Sequence, residues 1–231
     1  EKKLWFDFND RIKLKDKAIF RSGNKFNDVV RKHYGEGLDL SDEKEHQIVI
    51  DSTKKAIQSD NINVIYEAGF LFKKTFIRAD VLIKKDNQWT MLEAKASTSV
   101  KDINISDLAI QSFVVKNSGL DLIYNKIIHI NKEFIYKGDE NYKDLIVEVD
   151  ITKEVLAEEN EVEHLINKFL PLKKSECPKK EIGSHCKDPY PCNYIDKCSP
   201  PDTDIENVSY RILPYYGKKI EIYCKKNKIE K

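Results

Sequence analysis

Three acidic residues interrupt one apolar stretch of the sequence at a constant interval of thirteen residues, and this interval constrains the fold more than any other feature. The stretch runs from residue 65 to residue 95. Short polar breaks separate its apolar runs, which is typical of consecutive β-strands. We predict strands at 65–72, 76–83 and 89–94. Each strand carries one of the acids, which are Glu67, Asp80 and Glu93.

Two short turns would bring the three acids into one row. A two-residue turn at 86–87, where Asp and Asn suit the backbone, places Asp80 opposite Glu93. A second turn at 73–74, where two lysines are less typical, places Glu67 opposite Asp80. Directly opposed Cβ atoms lie about 5 Å apart, and like charges at that distance repel each other. The row therefore indicates a site for a cation.

A lysine completes the pattern. Lys95 follows Glu93 by two residues, so both side chains point to the same face of the strand. Acids in strands often belong only to a solvated surface, and that is the alternative interpretation. It fits poorly here, because Asp80 and Glu93 both stand within apolar runs. Acids in such surroundings beside a lysine favour a functional site.

Length, charge and hydropathy narrow the class of protein. The chain has 231 residues and a formal net charge of +1, which suits one domain with or without a small appendage and gives no overall field for a polyanion. No apolar run approaches the roughly 18 residues of a membrane span, and no secretory signal is visible. We therefore expect a cytoplasmic protein without a membrane partner. Because the first residue is Glu, we also expect the sequence to be part of a longer chain.

Helix and strand periodicity extends to both sides of the acidic stretch and predicts an α/β fold class. Helices are predicted at 17–34, 41–59, 104–117 and 152–170, and further strands at 120–130, 134–137 and 145–149. The first helix carries His33 on its apolar face, where a core histidine is the simplest interpretation. A weak strand–turn–strand pattern covers 208–223. We expect two parts, a core with N-terminal helices at 1–170 and a Cys-rich segment and tail at 171–231, packed on the core.

Five cysteines, four of them crowded into one short segment, predict a metal site in a reducing compartment rather than a disulfide framework. Cys186, Cys192 and Cys198 are evenly spaced where apolar residues are few and prolines deny regular hydrogen bonds. Thiolate ligation would supply the missing constraint. Cys177 would complete a four-thiolate site for zinc or a [4Fe–4S] cluster. The alternative is three separate buried thiols.

In combination these motifs resemble the PD-(D/E)XK nuclease superfamily. A strand acid, a hairpin, Glu-x-Lys and a helix bearing Gln, written here as IRADVL, MLEAKAST and DLAIQ, are similar to the RecB-type branch that includes the CRISPR-associated iron–sulfur exonucleases. HIN and IGSHCKDPYPCNYIDKC extend the resemblance to a bacterial family built on that core. The resemblance covers roughly residues 4–198. It implies a restriction-endonuclease-like core, which is a mixed sheet with flanking helices, and a Cys-rich C-terminal metal-binding segment.

The resemblance implies a role for each residue of the acidic row. Asp80 and Glu93 would be the metal-binding carboxylates, and the Ala94 carbonyl would add a ligand. Lys95 would orient the attacking water or help to deprotonate it. Glu67 as a further ligand is supported by the spacing more than by the family.

The resemblance also reaches residues outside the row. His33 corresponds to the histidine that ligates a metal in RecB-type members. Gln111 corresponds to the Gln of their Gln-x-x-x-Tyr motif, although Val115 stands where that motif has Tyr. Relatives have a Cys two residues before a Lys-x-Leu-Trp signature, which here starts at Lys2, so that Cys would fall immediately before Glu1. This makes the N-terminus a second candidate for the fourth cluster ligand and favours iron–sulfur over zinc.

The chemistry of these residue types fits phosphodiester cleavage. Carboxylate oxygens suit Mg²⁺ or Mn²⁺, which polarises a phosphoryl group and lowers the pKa of bound water. We expect a metal-dependent DNA nuclease, an exonuclease by resemblance, that acts on single-stranded DNA or duplex ends. One alternative is a catalytically degenerate nucleic-acid-binding module with a structural zinc or iron–sulfur site. Another is a different metal-dependent phosphodiesterase on the same frame.

Overall fold

The chain divides into two compact units in a computed structural model that describes residues 1–11, 18–138, 141–142, 144–187, 190–198 and 218–229. One unit is Leu14–Asn167, and the other joins Glu1–Lys13 to Lys168–Lys231. The first residues of the chain therefore group with its C-terminal region, whereas the boundary expected at residue 170 assigned them to the core. Among the described helices, none combines the length and the apolar character needed to cross a membrane.

The larger unit is built on a six-stranded mixed sheet whose strands follow one another in chain order. The strands are β1 Leu38–Asp39, β2 Val64–Phe72, β3 Thr75–Lys85, β4 Gln88–Lys95, β5 Leu122–Ile130 and β6 Ile146–Asp150. β2, β3 and β4 form an antiparallel meander. β1 adds to β2 and β5 to β4 in parallel, and β6 is antiparallel to β5. The expected α/β class with a mixed sheet is confirmed.

The register of the meander is the one that the two predicted turns require. Residues 73–74 have φ of 44° and 63°, and residues 86–87 have φ of 51° and 63°. Positive φ at both central residues defines the two-residue turn that matches the twist of a hairpin. Val81 consequently pairs with Tyr66 on one side and with Leu92 on the other. The predicted register is confirmed, including the turn made by two lysines.

Seven α-helices and two 3₁₀ turns are present in the described ranges. The helices are α1 Lys2–Asn9, α2 Ala18–Tyr34, α3 His46–Ile57, α4 Asp102–Asn117, α5 Thr152–Phe169, α6 Ile195–Cys198 and α7 Lys218–Lys226, and the 3₁₀ turns are Leu170–Lys174 and Ser184–Cys186. The predictions for α2, α4 and α5 and for the strand that became β6 are confirmed closely. α3 was predicted to begin after Ser41, which is wrong. The Ser41 amide instead bonds the Asp39 side chain at 2.9 Å, a local turn that delays the helix.

Two further predictions fail outside the core of the sheet. Residues 134–137 are not a strand, because a turn starts at Asn131, whose carbonyl accepts the Phe134 amide at 3.1 Å and whose side chain accepts the Glu133 amide at 3.0 Å. Residues 218–223 belong to α7 rather than to a strand. Residues 208–217, the rest of that predicted hairpin, lie outside the described residues.

α2 and α4 cover opposite faces of the sheet. α2 packs on the face that carries Leu92, in a cluster of Phe26, Val30, Val64, Tyr66, Val81, Leu92 and Ile128. Successive side chains of a strand alternate between the faces, so Glu93 points to the other side, where α4 lies. Leu108 and Val115 of α4 are fully buried there. This sandwich fixes two helices against the acids of β3 and β4.

In the smaller unit, aromatic and polar contacts attach α1 to the Cys-rich segment. The Phe6 ring stacks on Tyr194 with centroids 5.0 Å apart, and the Tyr194 hydroxyl donates to Asp7 at 2.6 Å. Trp5 Nε1 donates to the Ser175 carbonyl at 2.8 Å. Lys197 forms an ion pair with Asp10. The N-terminal helix is thereby fixed to residues far away in the sequence.

We expect Phe6→Ala to loosen this unit. Phe6 is 7% exposed, and removal of a buried phenyl ring typically costs about 3–5 kcal/mol. Urea denaturation should show the loss, and hydrogen exchange should show faster exchange of α1 amides. Phe8→Ala is the matched control, because Phe8 lies on the same helix and is 42% exposed. Equal exchange in the two variants would contradict the assigned packing.

Candidate functional site

The pairing of β3 with β4 ends just before the two central acids. Cα pairing stops at Val81 with Leu92. β2 and β3 continue as a pair to their turn, and β4 and β5 continue to Lys95 with His129. We call this point, beyond Val81 and Leu92, the fork. Asp80 and Glu93 are the first residues past it.

The Asp80 carboxylate takes the place of the missing ladder bond. The Ala94 amide donates to Asp80 Oδ2 at 2.7 Å, which satisfies a backbone N–H that would otherwise lack a partner. Burial raises the pKa of Asp80 well above its usual value, and the Glu93 charge adds to the effect. The hydrogen bond from the Ala94 amide lowers the pKa of Asp80, whereas the Glu67 charge raises it further. Asp80 therefore lies within electrostatic reach of both other acids, as the spacing predicted.

Glu93 is held at both carboxylate oxygens. Lys95 Nζ donates to Oε1 at 2.7 Å, and Gln111 Nε2 donates to Oε2 at 2.9 Å. Glu93 is 7% exposed. Burial raises its pKa, although the Lys95 charge and both hydrogen bonds act in the opposite direction. The structure thus brings Glu93, Lys95 and Gln111 together, as expected from the sequence.

Lys95 lies between two carboxylates. Its Nζ donates to Asp107 Oδ2 of α4 at 2.7 Å as well as to Glu93. Burial lowers the pKa of Lys95, but the Glu93 charge and the bonds to Asp107 and Glu93 outweigh burial, and the net pKa is raised. Lys95 is therefore an ammonium donor at neutral pH. In this arrangement it can orient a water or a phosphate oxygen but cannot accept a proton.

Glu67 lies beside this group in a strained backbone conformation. Its φ is 55°, although its neighbours Tyr66 and Ala68 keep the regular register with β3. Positive φ is uncommon for residues other than glycine and concentrates at functional sites. Glu67 Oε2 lies 3.9 Å from Arg78 Nη1. Burial raises the pKa of Glu67, and the Arg78 and Arg31 charges reduce the rise.

A path from the surface reaches Asp80 from the α2 side. A cavity of about 360 Å³ is lined by Asn27, Arg31 and Glu67, and the cleft that contains Asp80 shares these three residues. Periodicity did not single out Asn27 and Arg31, because their position depends on how α2 packs against the sheet. They are the residues that α2 contributes to the site.

His33, the residue of α2 predicted from the resemblance, is not brought to the carboxylates. Its side chain is exposed, and its ring centroid lies 4.8 Å from that of Tyr34. Phe26, Val30 and Tyr34 form the face that packs on the sheet. Asn27 and Arg31 are the α2 residues that line both the cavity and the cleft on the path to Asp80, and His33, two residues after Arg31, projects about 160° away from Arg31 around the helix. Neither lining of the Asp80 path contains His33.

The donor set fits a hard divalent cation. Glu93 is buried and Asp80 half-buried, and both have raised pKa values, so a positive ion would relieve the cost of ionising both. Gln111 Oε1 is a buried acceptor that has no hydrogen-bond partner among the described residues. Mg²⁺ typically takes one or two carboxylates and keeps several waters. No three His, Cys, Asp or Glu side chains in the described ranges stand in metal-binding geometry, so the protein would supply only part of the coordination.

The cysteines form a second candidate site in the smaller unit. Cys186, Cys192 and Cys198 line one cavity of about 840 Å³ together with Glu1 and Lys2. All five cysteines are free thiols. Burial raises the pKa of Cys198, Lys2 lowers it, and Cys192 and Cys186 raise it further. The three thiols are therefore close enough to influence one another, but no three His, Cys, Asp or Glu side chains in the part of the chain that the structure describes stand in metal-binding geometry. Thiols are the donors that zinc and iron–sulfur clusters use.

The position of a fourth ligand beside the three thiols lies closer to Glu1 than to Cys177. Glu1 lines the cavity, whereas Cys177 does not, and its Sγ lies 3.9 Å from the Pro178 carbonyl. His185 also lines the cavity and was not singled out from the sequence.

Comparisons with known proteins add little. No protein-family model matches the chain, and no curated protein matches it. A solved structure of a "Putative exonuclease" from Eubacterium rectale is 14% identical and covers 80% of this chain and 85% of its own, with a TM-score of 0.43. The structure of SSO0001 is 14% identical and covers 71% of this chain and 83% of its own, with a TM-score of 0.24. Similarities at this level carry no weight for the function of this chain.

We expect Asp80→Asn to stabilise the metal-free protein at neutral pH. A carboxyl group whose folded pKa is raised binds its proton more tightly in the folded state, so it costs stability as the pH rises from its ordinary value through the raised one. The amide removes that cost and keeps an oxygen for the Ala94 amide.

Thermal unfolding in EDTA tests this expectation. The melting temperature of the wild type should rise from neutral to mildly acidic pH, and the variant should melt higher than the wild type at neutral pH. Asp60→Asn is the control, because the Asp60 side chain is fully exposed. A lower melting temperature of Asp80→Asn at neutral pH would show that the carboxylate is already compensated.

Proposed function

We propose that this protein is a metal-dependent DNA nuclease of the PD-(D/E)XK type. The observation that carries the proposal is the arrangement at the fork, where Lys95 donates at 2.7 Å to Glu93 and the half-buried Asp80 lies next to that carboxylate. Two carboxylates and an ammonium group side by side would provide both a cation site and a fixed positive charge. Phosphodiester hydrolysis needs both.

Each residue at the fork would have its own role in catalysis. Asp80 and Glu93 would hold Mg²⁺ or Mn²⁺, with the Ala94 carbonyl as a further candidate ligand and Glu67 nearby. The cation, when bound, supplies Lewis acidity and an acidified water. Lys95, protonated, donates to the attacking water or to a non-bridging phosphate oxygen, where negative charge develops. Gln111 fixes the Glu93 carboxylate by its hydrogen bond at 2.9 Å.

The path lined by Asn27 and Arg31 supports an anionic substrate. Arg31 forms an ion pair with Asp39 at 2.9 Å, and its side chain is 25% exposed. A guanidinium group suits phosphate, because its donors match the phosphate oxygens. The Arg31 side chain lines the same cleft as Asp80, on the α2 side of the sheet. DNA, single-stranded or as a duplex end, is the substrate that we propose for this path.

We further propose that the Cys-lined cavity holds a structural [4Fe–4S] cluster, with zinc as the alternative. Cys186, Cys192 and Cys198 supply three thiols, and the N-terminus lines the same cavity. Between residues 175 and 198, the described part of the Cys-rich segment has no regular element longer than the four residues of α6. Ligation of the three thiolates would hold the parts of this segment together.

We expect cleavage of DNA that needs Mg²⁺ or Mn²⁺ and that Asp80→Ala or Lys95→Ala reduces by about a hundredfold or more, because each removes charge stabilisation of the transition state. Anaerobically purified protein is incubated with labelled single-stranded and double-stranded DNA, with and without EDTA. Lys85→Ala, on the exposed end of β3, is the matched control. Equal cleavage in EDTA, or full activity of both variants, would refute the nuclease. Metal-independent binding without cleavage would favour the degenerate binding module.

We expect the anaerobically purified protein to be brown and to contain iron, and Cys198→Ala to lose most of that iron, because one of the cavity thiols is gone. Elemental analysis separates iron from zinc. Cys177→Ala is the control, since Cys177 does not line the cavity, and it should keep the metal. Loss of metal from Cys177→Ala would instead make Cys177 the fourth ligand. An unchanged metal content in Cys198→Ala would refute the site.

A further inference from the structure

Asp107 is a carboxylate that a helix, rather than the sheet, contributes to the site. It is on α4, and its Oδ2 accepts from Lys95 Nζ at 2.7 Å. Lys95 Nζ makes an equally short bond to Glu93 Oε1. The ammonium group therefore bridges a buried carboxylate of the sheet and a carboxylate of the helix, whose side chain is 48% exposed.

The spacing on α4 ties Asp107 to Gln111. The two residues are one turn apart, so they lie on the same side of the helix. Gln111 Nε2 donates to the second oxygen of Glu93 at 2.9 Å. Leu108 and Val115 anchor the helix through their fully buried side chains. α4 thus presents two polar groups, one that holds Glu93 and one that holds Lys95.

The ordinary structural reasons for an acid in a helix do not apply to Asp107. Acids stabilise a helix through its dipole only within the first turn, and Asp107 is the sixth residue of α4. The side chain that caps the start of this helix is Asn104, whose Oδ1 accepts the Lys101 amide at 3.0 Å. Asp107 forms its ion pair with Lys95. The carboxylate is thus placed to act on Lys95.

Lys95 needs a second carboxylate partner because Glu93 would also bind the cation. If Glu93 shares its charge with a divalent cation, it attracts Lys95 less, and the cation itself repels the ammonium group. A lysine side chain is long and has several rotatable bonds, so an ammonium group with a weakened partner leaves its position readily. Asp107 offers a charge that holds Lys95 from the helix side and leaves Glu93 to the cation.

We propose that Asp107 is a positioning residue that keeps Lys95 at the fork. The proposal rests on the proposed nuclease function and adds a residue to it. Asp107 touches neither the cation nor the substrate, and it acts through Lys95. Its removal leaves DNA binding intact and reduces the fraction of molecules in which Lys95 is correctly placed. The effect therefore falls on kcat rather than on KM.

The activity test compares Asp107→Asn and Asp107→Glu with Asp102→Asn. We expect Asp107→Asn to lower kcat by about ten- to a hundredfold at unchanged KM for DNA, which is typical when a catalytic group is misplaced. Asp107→Glu keeps the charge and should recover part of the rate. Asp102→Asn makes the same change on the same helix, at an exposed residue of its first turn, and should retain the wild-type kcat. In Lys95→Ala, adding Asp107→Asn should cause no further loss.

A second measurement needs no activity. A double-mutant cycle of Lys95→Ala and Asp107→Asn on the unfolding equilibrium, in EDTA, should show a coupling of about twofold or more, since the residues are in contact and only partly exposed. Wild-type kcat in Asp107→Asn, with a wild type that cleaves DNA, overturns the positioning role and leaves the nuclease. If the cycle shows no coupling, the contact between Lys95 and Asp107 is wrong, whatever the activity of the variants. A wild type that cleaves no DNA overturns the nuclease and, with it, the role of Asp107 in catalysis.

Discussion

The hydrogen bond from the Ala94 amide to the Asp80 carboxylate is the interaction on which the site depends. Where β3 and β4 stop pairing, a buried amide loses its ladder partner, and a side chain must replace it. The replacement draws a carboxylate into the sheet beside Glu93. The backbone is satisfied and an acidic pair is formed by the same contact, so the geometry of the fork and the electrostatics of the site have one origin.

The surroundings of that pair are supplied from both faces of the sheet. α4 contributes Gln111 and Asp107, which hold Glu93 and Lys95 in turn. α2 contributes the lining of the path to Asp80. Burial makes the ionised acids costly, and a single ammonium group compensates them only in part. Such a site lowers the stability of the fold locally, which is a common property of catalytic sites.

The sequence predicted the parts of the site that follow from strand periodicity. Two turns of known length set the register, and the register then placed Asp80 between Glu67 and Glu93. A helix is less well determined, because residues on either side of its apolar stripe are equally plausible. His33 lies at one edge of the apolar stripe of α2, whereas Arg31, at the other edge, lines the path to Asp80. Contacts between distant segments leave no periodic signal. Asp107, opposite Lys95, therefore could not be found from the sequence.

The smaller unit is assembled from two segments far apart in the sequence, with α1 packed on residues beyond 168. The ribosome adds one of these segments before the unit Leu14–Asn167 and the other after it. The contiguous unit can acquire its native contacts while the ribosome is still adding the Cys-rich segment. Until that segment emerges, Phe6 has no Tyr194 to stack on. Closure of the Cys-lined cavity consequently follows the synthesis of the larger unit, and a nascent chain that still lacks the Cys-rich segment cannot form it.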